Sequence, residues 1–241
     1  MAVGEVAIIG AGMHQWGKFI GKSFVDLGVH AAKEALHDAN VGWEEIEFVS
    51  GANTVRNGYP GWVSGSTFAN ALGFQGCQLA SSYAACASGV TALSIARAQI
   101  LAGICDVALV VGADQVPKGM FAPVPGDRPQ DVDWLRFRLI GLSNPAYFGL
   151  FARRRMALYG DTKKDFAAVK VKNSLHGSKN PNARFTKTFT ESDVEASPVV
   201  ADPLRLLEIC TTSDGGAALV VSSLEYAKKK AAELKKMLNF S

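Results

Sequence analysis

Gln78 to Val111 reads QLASSYAACASGVTALSIARAQILAGICDVALVV, and its three parts decide the fold class. Gln78 to Ser82 has the length and composition of a short strand. Cys86 to Ala102 predicts a helix, with Val90, Leu93, Arg97, Ile100 and Leu101 recurring every three or four residues. Asp106 to Val111, Asp-Val-Ala-Leu-Val-Val, is a continuously apolar strand of the kind buried on both faces. Strand, helix and strand at this spacing call for a right-handed crossover and parallel pairing.

The same alternation extends outward. Val3 to Ile9 predicts a strand running into a glycine turn at Gly10-Ala11-Gly12, and a helix follows from Ser23 or Val25 to Ala39 with Leu27, Ala31, Ala35 and Ala39 on one face. Ile46 to Ser50 predicts a second strand, and Trp62 to Leu72 a helix of small residues. From Gln115 to about Pro145 the alternation stops. Five of the nine prolines fall there, which predicts an irregular excursion. Helices are expected at Tyr147 to Tyr159 and Lys163 to His176, then a polar loop around Asn180 to Arg184. Ala217 to Ser222 is a further buried strand whose simplest place is back in the first sheet. The whole reads as an α/β fold with a mixed, mostly parallel sheet and helices on both faces.

Composition narrows the function classes. The 241 residues are 48% hydrophobic and 20% charged, which predicts a globular interior rather than a disordered chain. The net charge of +3 is accounted for by Leu224 to Ser241, where five lysines face Glu225 and Glu233. That run reads as a solvated basic tail, and the rest lacks the concentrated basic face of a nucleic-acid binder. No window is apolar enough to span a bilayer, and Met1 to Gly10 has no leader pattern, so a cytoplasmic location is expected. The four cysteines have no CxxC spacing or histidine pair to suggest a metal site or a disulfide framework. Gly10 and Gly12 invite a dinucleotide fingerprint, but Gln15 stands where its third glycine is needed.

The residues that carry chemistry lie in Tyr83-Ala84-Ala85-Cys86-Ala87-Ser88-Gly89. A cysteine between a strand and the first turn of a helix meets backbone N–H groups and the positive end of the dipole, which favour negative charge and can serve as oxyanion donors. The small neighbours Ala85, Ala87 and Gly89 leave room for a substrate carbonyl. Spacing alone leaves a second reading open, in which Cys86 is a small buried residue packing the helix start. Cys77, Cys105 and Cys210 read as packing residues. The histidines at 14, 30, 37 and 176 are dispersed, and none is identifiable as a base for Cys86.

The stretch Cys86-Ala87-Ser88-Gly89-Val90-Thr91-Ala92-Leu93, followed by Ala96-Arg97 and by Ala102-Gly103-Ile104-Cys105-Asp106 through Gly112-Ala113-Asp114, resembles the nucleophile helix and following strand of thiolases. The sterol-carrier-protein type, with its acetyl-CoA acetyltransferases and lipid-transfer thiolases, is the nearest pattern. Val6 to Met13, Val116-Pro117-Lys118-Gly119-Met120 and Thr212-Ser213-Asp214-Gly215-Gly216-Ala217-Ala218 support it, in family order over residues 3 to 230.

The resemblance implies the N-terminal half of a thiolase-like fold, with residues 1–114 and 204–223 as the thiolase domain. Residues 115–203 would be an inserted loop domain over the active site, and residues 224–241 would lead toward a missing C-terminal domain. It implies Cys86 as an acylated nucleophile in Claisen condensation or thiolytic cleavage of 3-oxoacyl-CoA, within lipid or sterol side-chain metabolism. Coenzyme A enters as a thioester substrate, with no bound cofactor and no metal, and His176, Lys179, Arg184 and Ser213 are the candidate CoA contacts. The family takes its activating histidine and second cysteine from the other half, so the isolated chain is expected to be inactive. A homodimer through Gln78 to Ser82, or a hetero-assembly supplying the missing half, is expected. A non-catalytic acyl-CoA or lipid-binding subunit and a thiolase-like aldolase remain as alternatives.

Overall fold

Along β2 (Phe48–Ala52) and β4 (Val107–Asp114) successive side chains enter two different cores, which is the signature of a sheet covered on both faces. Val49, Val107, Leu109, Val111 and Ala113 pack with Ala218 and Val220 against a helix carrying Leu27, Ala31 and Ala35. Phe48, Ala52, Ala108, Val110 and Val221 pack on the opposite side against a helix carrying Ala92, Ala96 and Ile100. The computed structural model describes residues 5–54, 59–116, 130, 132, 135 and 143–238. Val3, Val55 to Gly58, Pro117 to Met120 and much of the proline-rich stretch lie outside the described residues, as do the last three positions of the basic tail.

The chain divides into two compact units, Met1–Val116 with Ser213–Ser241, and Pro117–Thr212. The first holds a five-stranded sheet in the order β1 (Val6–Gly17), β7 (Asp214–Ser223), β4, β2 and β3 (Gln78–Ser82). β4, β2 and β3 pair in parallel, and β7 runs antiparallel to both β1 and β4. The late strand therefore returns to the first sheet, at its second position. One face carries α1 (Phe24–Ala39) and α3 (Ser64–Leu72), the short α2 (Tyr59–Trp62) lying against α3, and the other carries α4 (Ser88–Leu101). Ser23 caps α1 and forms a capping box with Asp26.

β1 corrects one expectation. No turn forms at Gly10-Ala11-Gly12, and the strand continues to Gly17. A Cβ at Gly10 would overlap the Ala35 carbonyl, and one at Gly12 the Ala31 carbonyl, so both glycines let the alanine face of α1 approach the strand backbone. The pair serves helix–strand packing, with no phosphate turn.

The second unit contains α5 (Asn144–Tyr159), α6 (Lys163–Gly177), α7 (Glu191–Ala196) and a hairpin of β5 (Val199–Ala201) with β6 (Leu204–Arg205). Asp202 in the hairpin pairs with Arg153 of α5, and the Ser174 hydroxyl of α6 accepts from the Phe189 N–H. The polar run from Leu224 onward forms α8 (Leu224–Leu238) in the first unit, where Tyr226 and Lys230 both bond Glu45. Among the described residues no helix is long and apolar enough to cross a membrane.

Candidate active site

β2, β3 and β4 run in one direction, so their carboxyl ends, at Ala52, Ser82 and Asp114, gather at one edge of the sheet. This is the end at which open α/β sheets bind ligands. Asn53, 1% exposed, ties it together: its N–H donates to Ser82 O and its Nδ2 to Ala113 O. The Thr54 N–H donates to the Asp114 carboxylate at 2.7 Å. Asn53 escapes sequence reading because an asparagine after a strand suggests only a turn.

Cys86 sits beside this edge, in the turn between β3 and α4, and its side chain is exposed. The helix begins two residues later than the periodicity predicts. Ala87, at φ −94° and ψ 4°, stands outside the helix as its cap position, and Ala85 before Cys86 adopts φ +47°, the left-handed region. The turn is closed by the Ala87 N–H donating to Ala84 O and the Ser88 N–H to Ala85 O. α4 has no side-chain cap at its N-terminus, so its positive end faces the Cys86 turn without a competing group. Cys86 is thus a presented thiol rather than a packing residue.

The other cysteines differ. Cys105 is buried, and burial, with Glu47 and Asp106 nearby, pushes its thiol up to about 11. Burial also raises half-buried Cys77. Cys210 belongs to the second unit and is exposed, contrary to the packing role expected of it, because Cys210 to Ser213 forms no regular element.

No hydrogen bond or ion pair joins a histidine to Cys86 among the described residues. His14, 6% exposed, contacts the Gln15 carbonyl through Nδ1 at 2.7 Å and Lys22 through Nε2 at 3.0 Å. His30 pairs with Glu34. His176 and Lys179 share the turn that ends α6, where the Lys179 N–H donates to His176 O. The segment after this turn brings Phe185 O against Gly177, and Arg184 lies over the Phe185 ring, so these three candidate CoA contacts belong to one corner of the second unit. Ser213 belongs to the first unit, one residue before Asp214.

Asp214 is a buried anion that the motif alone does not explain. It accepts from the Phe19 N–H, the Val116 N–H and Lys18 Nζ at 2.9–3.0 Å. Burial by itself would raise this carboxyl, but the two backbone donors and the Lys18 ammonium more than offset it and hold it below the usual carboxylate range. It thereby pins together the points where the chain leaves and re-enters the first unit. Among the described residues no group of three histidine, cysteine or acidic side chains could hold a metal ion.

Comparison with known proteins agrees with this architecture. Residues 6–225 match the family model for the thiolase N-terminal domain. The chain is 30% identical over 241 residues to human Sterol carrier protein 2, covering 93% of this chain and 42% of that protein. It is 32% identical over 226 residues to the Acetyl-CoA acetyltransferase of Methanocaldococcus jannaschii, covering 93% and 57%. The chain thus spans about half the length of the curated relatives it matches. Among solved structures, an Ltp2-ChsH2(DUF35) aldolase superposes with a TM-score of 0.76 at 28% identity, covering 92% of this chain and 56% of that one. The Acat5 thiolase of Ascaris suum, solved in complex with coenzyme A, gives 0.69 at 20% identity, covering 93% and 67%.

Proposed function

Because this chain belongs to the thiolase family through its N-terminal domain, we propose that it is the nucleophile-bearing part of an acyltransferase acting on acyl-CoA thioesters, with Cys86 the residue acylated. The observation that carries this reading is an exposed thiol on a left-handed turn, at the uncapped start of α4 and the carboxyl end of a parallel sheet. A soft thiolate suits a thioester, and a covalent intermediate splits one transfer into two easier steps.

In the first step Cys86 Sγ attacks the acyl carbonyl carbon and the CoA thiolate leaves. In condensation the deprotonated α-carbon of another acyl-CoA then attacks the acyl carbonyl and the Cys86 thiolate leaves. In thiolysis Cys86 Sγ instead attacks the 3-carbonyl of a 3-oxoacyl-CoA, the C2–C3 bond breaks, C2 takes up a proton to leave as acetyl-CoA, and free CoA then takes the acyl group from Cys86. The N–H groups of the Cys86 turn at Ala84, Ala87 and Ser88 are bonded within it, so the oxyanion is met from the uncapped first turn of α4. The proton-transfer groups come from residues outside this chain, in keeping with its span of about half its relatives. His176, Lys179 and Arg184, on one corner of the second unit, take the phosphates of CoA. Similarity to sterol carrier proteins supports a fatty-acyl or sterol side-chain substrate.

Replacing Cys86 by Ser in the complete protein tests this: acyl transfer should fall by about three orders of magnitude or more with CoA binding retained. Undiminished transfer would remove the assignment. The likeness to an aldolase favours a second reading, carbon–carbon cleavage on the same scaffold without acylation. Product analysis separates the two, since aldol cleavage releases a free carbonyl compound and thiolysis a new thioester.

A further inference from the structure

Ser88 is the first residue of α4 and is 1% exposed, yet its hydroxyl does not serve the helix it begins. It points back into the Cys86 turn. Its oxygen accepts the Ala84 N–H at 2.9 Å and its proton is donated to Ala85 O at 2.7 Å, so one hydroxyl bridges both residues before the cysteine. The Ser88 carbonyl in turn accepts the Ser82 hydroxyl at 3.0 Å, fixing the far side of the turn to the last residue of β3. Between these bonds lies Ala85 at φ +47°, a conformation unfavourable for a non-glycine residue that persists only where surrounding contacts hold it.

We propose that Ser88, seconded by Ser82, is the positioning residue for Cys86. Its hydroxyl clamps the left-handed Ala85 so that the thiol stays on the exposed rim of the sheet, in front of the uncapped end of α4. A serine that merely filled space would need neither bond, and one that capped the helix would bond forward to its N–H groups. This inference rests on the reading of Cys86 as the acylated thiol for its functional meaning, while the clamp itself can be measured without that chemistry.

The test follows amide hydrogen exchange and thiol alkylation in the full chain. Ala84 is exposed, so its amide should exchange freely unless Ser88 holds it. In the unaltered protein the Ala84 amide should be protected. In Ser88→Ala it should exchange about fivefold faster or more, the scale of one hydrogen bond, while amides of β4 keep their protection. The rate of Cys86 alkylation by iodoacetamide, taken relative to Cys210, should shift in the same variant by a similar factor. Ser88→Thr, which keeps a hydroxyl, should restore both readouts. If Ser88→Ala does not fold, protection of the Ala84 amide in the unaltered chain still decides. Rapid exchange there, or an unchanged alkylation ratio in a folded Ser88→Ala protein, would overturn the proposal. Failure of Cys86 to accept an acyl group with Ala84 protected would instead remove the acyltransferase reading and leave the clamp standing.

Discussion

Gly12 of β1 lies so close beneath the Ala31 carbonyl of α1 that a methyl group at position 12 would overlap it. The obstructing atoms are backbone, which cannot rotate aside. Gly12→Ala should therefore cost roughly 1–3 kcal/mol, the range for overpacking a core, and chemical denaturation would read it as a lower midpoint with an unchanged slope. An unaffected midpoint would mean that helix and strand do not approach as described.

Acid should destabilise the first unit over a defined window. Asp214 is held below the usual carboxylate range, and Glu45 is brought to about 2 because the Gly42 N–H, Lys230 and Tyr226 outweigh its burial. Both groups have folded values below their unfolded ones. Their contribution is complete above about pH 4.5, the ordinary value of Glu, and is lost as pH falls toward about 2. Thermal melting should be flat from pH 7 to 5 and decline below, and Asp214→Asn with Glu45→Gln should flatten that decline. Glu45 is partly exposed, so water screening keeps its own share to about 1 kcal/mol or less.

Thiol accessibility gives a third expectation. Cys86 and Cys210 are exposed, Cys77 half-buried and Cys105 buried with its thiol at about 11. Timed iodoacetamide labelling at pH 8 with peptide mapping should modify Cys86 first and Cys105 last. Modification of Cys105 before Cys86 in the folded chain would contradict the geometry of both.

How much of this was legible beforehand differs residue by residue. Gln78 to Ser82 and Tyr159, the end of α5, were readable because apolar period and turn residues are local signals. Gly10 and Gly12 misled, because the reason for them sits in Ala31 and Ala35, some twenty residues away. The short α7 and the β5–β6 hairpin fall below the length at which periodicity can speak, although Thr190 and Asp193 form a capping box that could have marked α7. At the site, Cys86 was visible from its small neighbours and its place before a helix. The Ser88 hydroxyl was not, since residue type does not reveal whether a serine bonds forward into its helix or back into the turn.

β3 forms an open edge of the sheet, and Leu79 on it is 45% exposed in a stretch without charge. Such an edge invites pairing with a second copy. Light scattering at micromolar concentration should give a dimer or larger assembly, and Leu79→Lys should shift it toward monomer. A monodisperse monomer of the unaltered protein would exclude this interface.

An acyl group on Cys86 is the intermediate that the proposed transfer requires. The most direct measurement is incubation of the protein, in the assembly in which it occurs, with acetyl-CoA, followed by acid quench and peptide mass mapping. The account predicts an acetyl thioester on the peptide containing Cys86, absent from Cys86→Ala and discharged by added free CoA. An unmodified Cys86 in protein that turns over substrate, or an acetyl group on Cys210 instead, would contradict it.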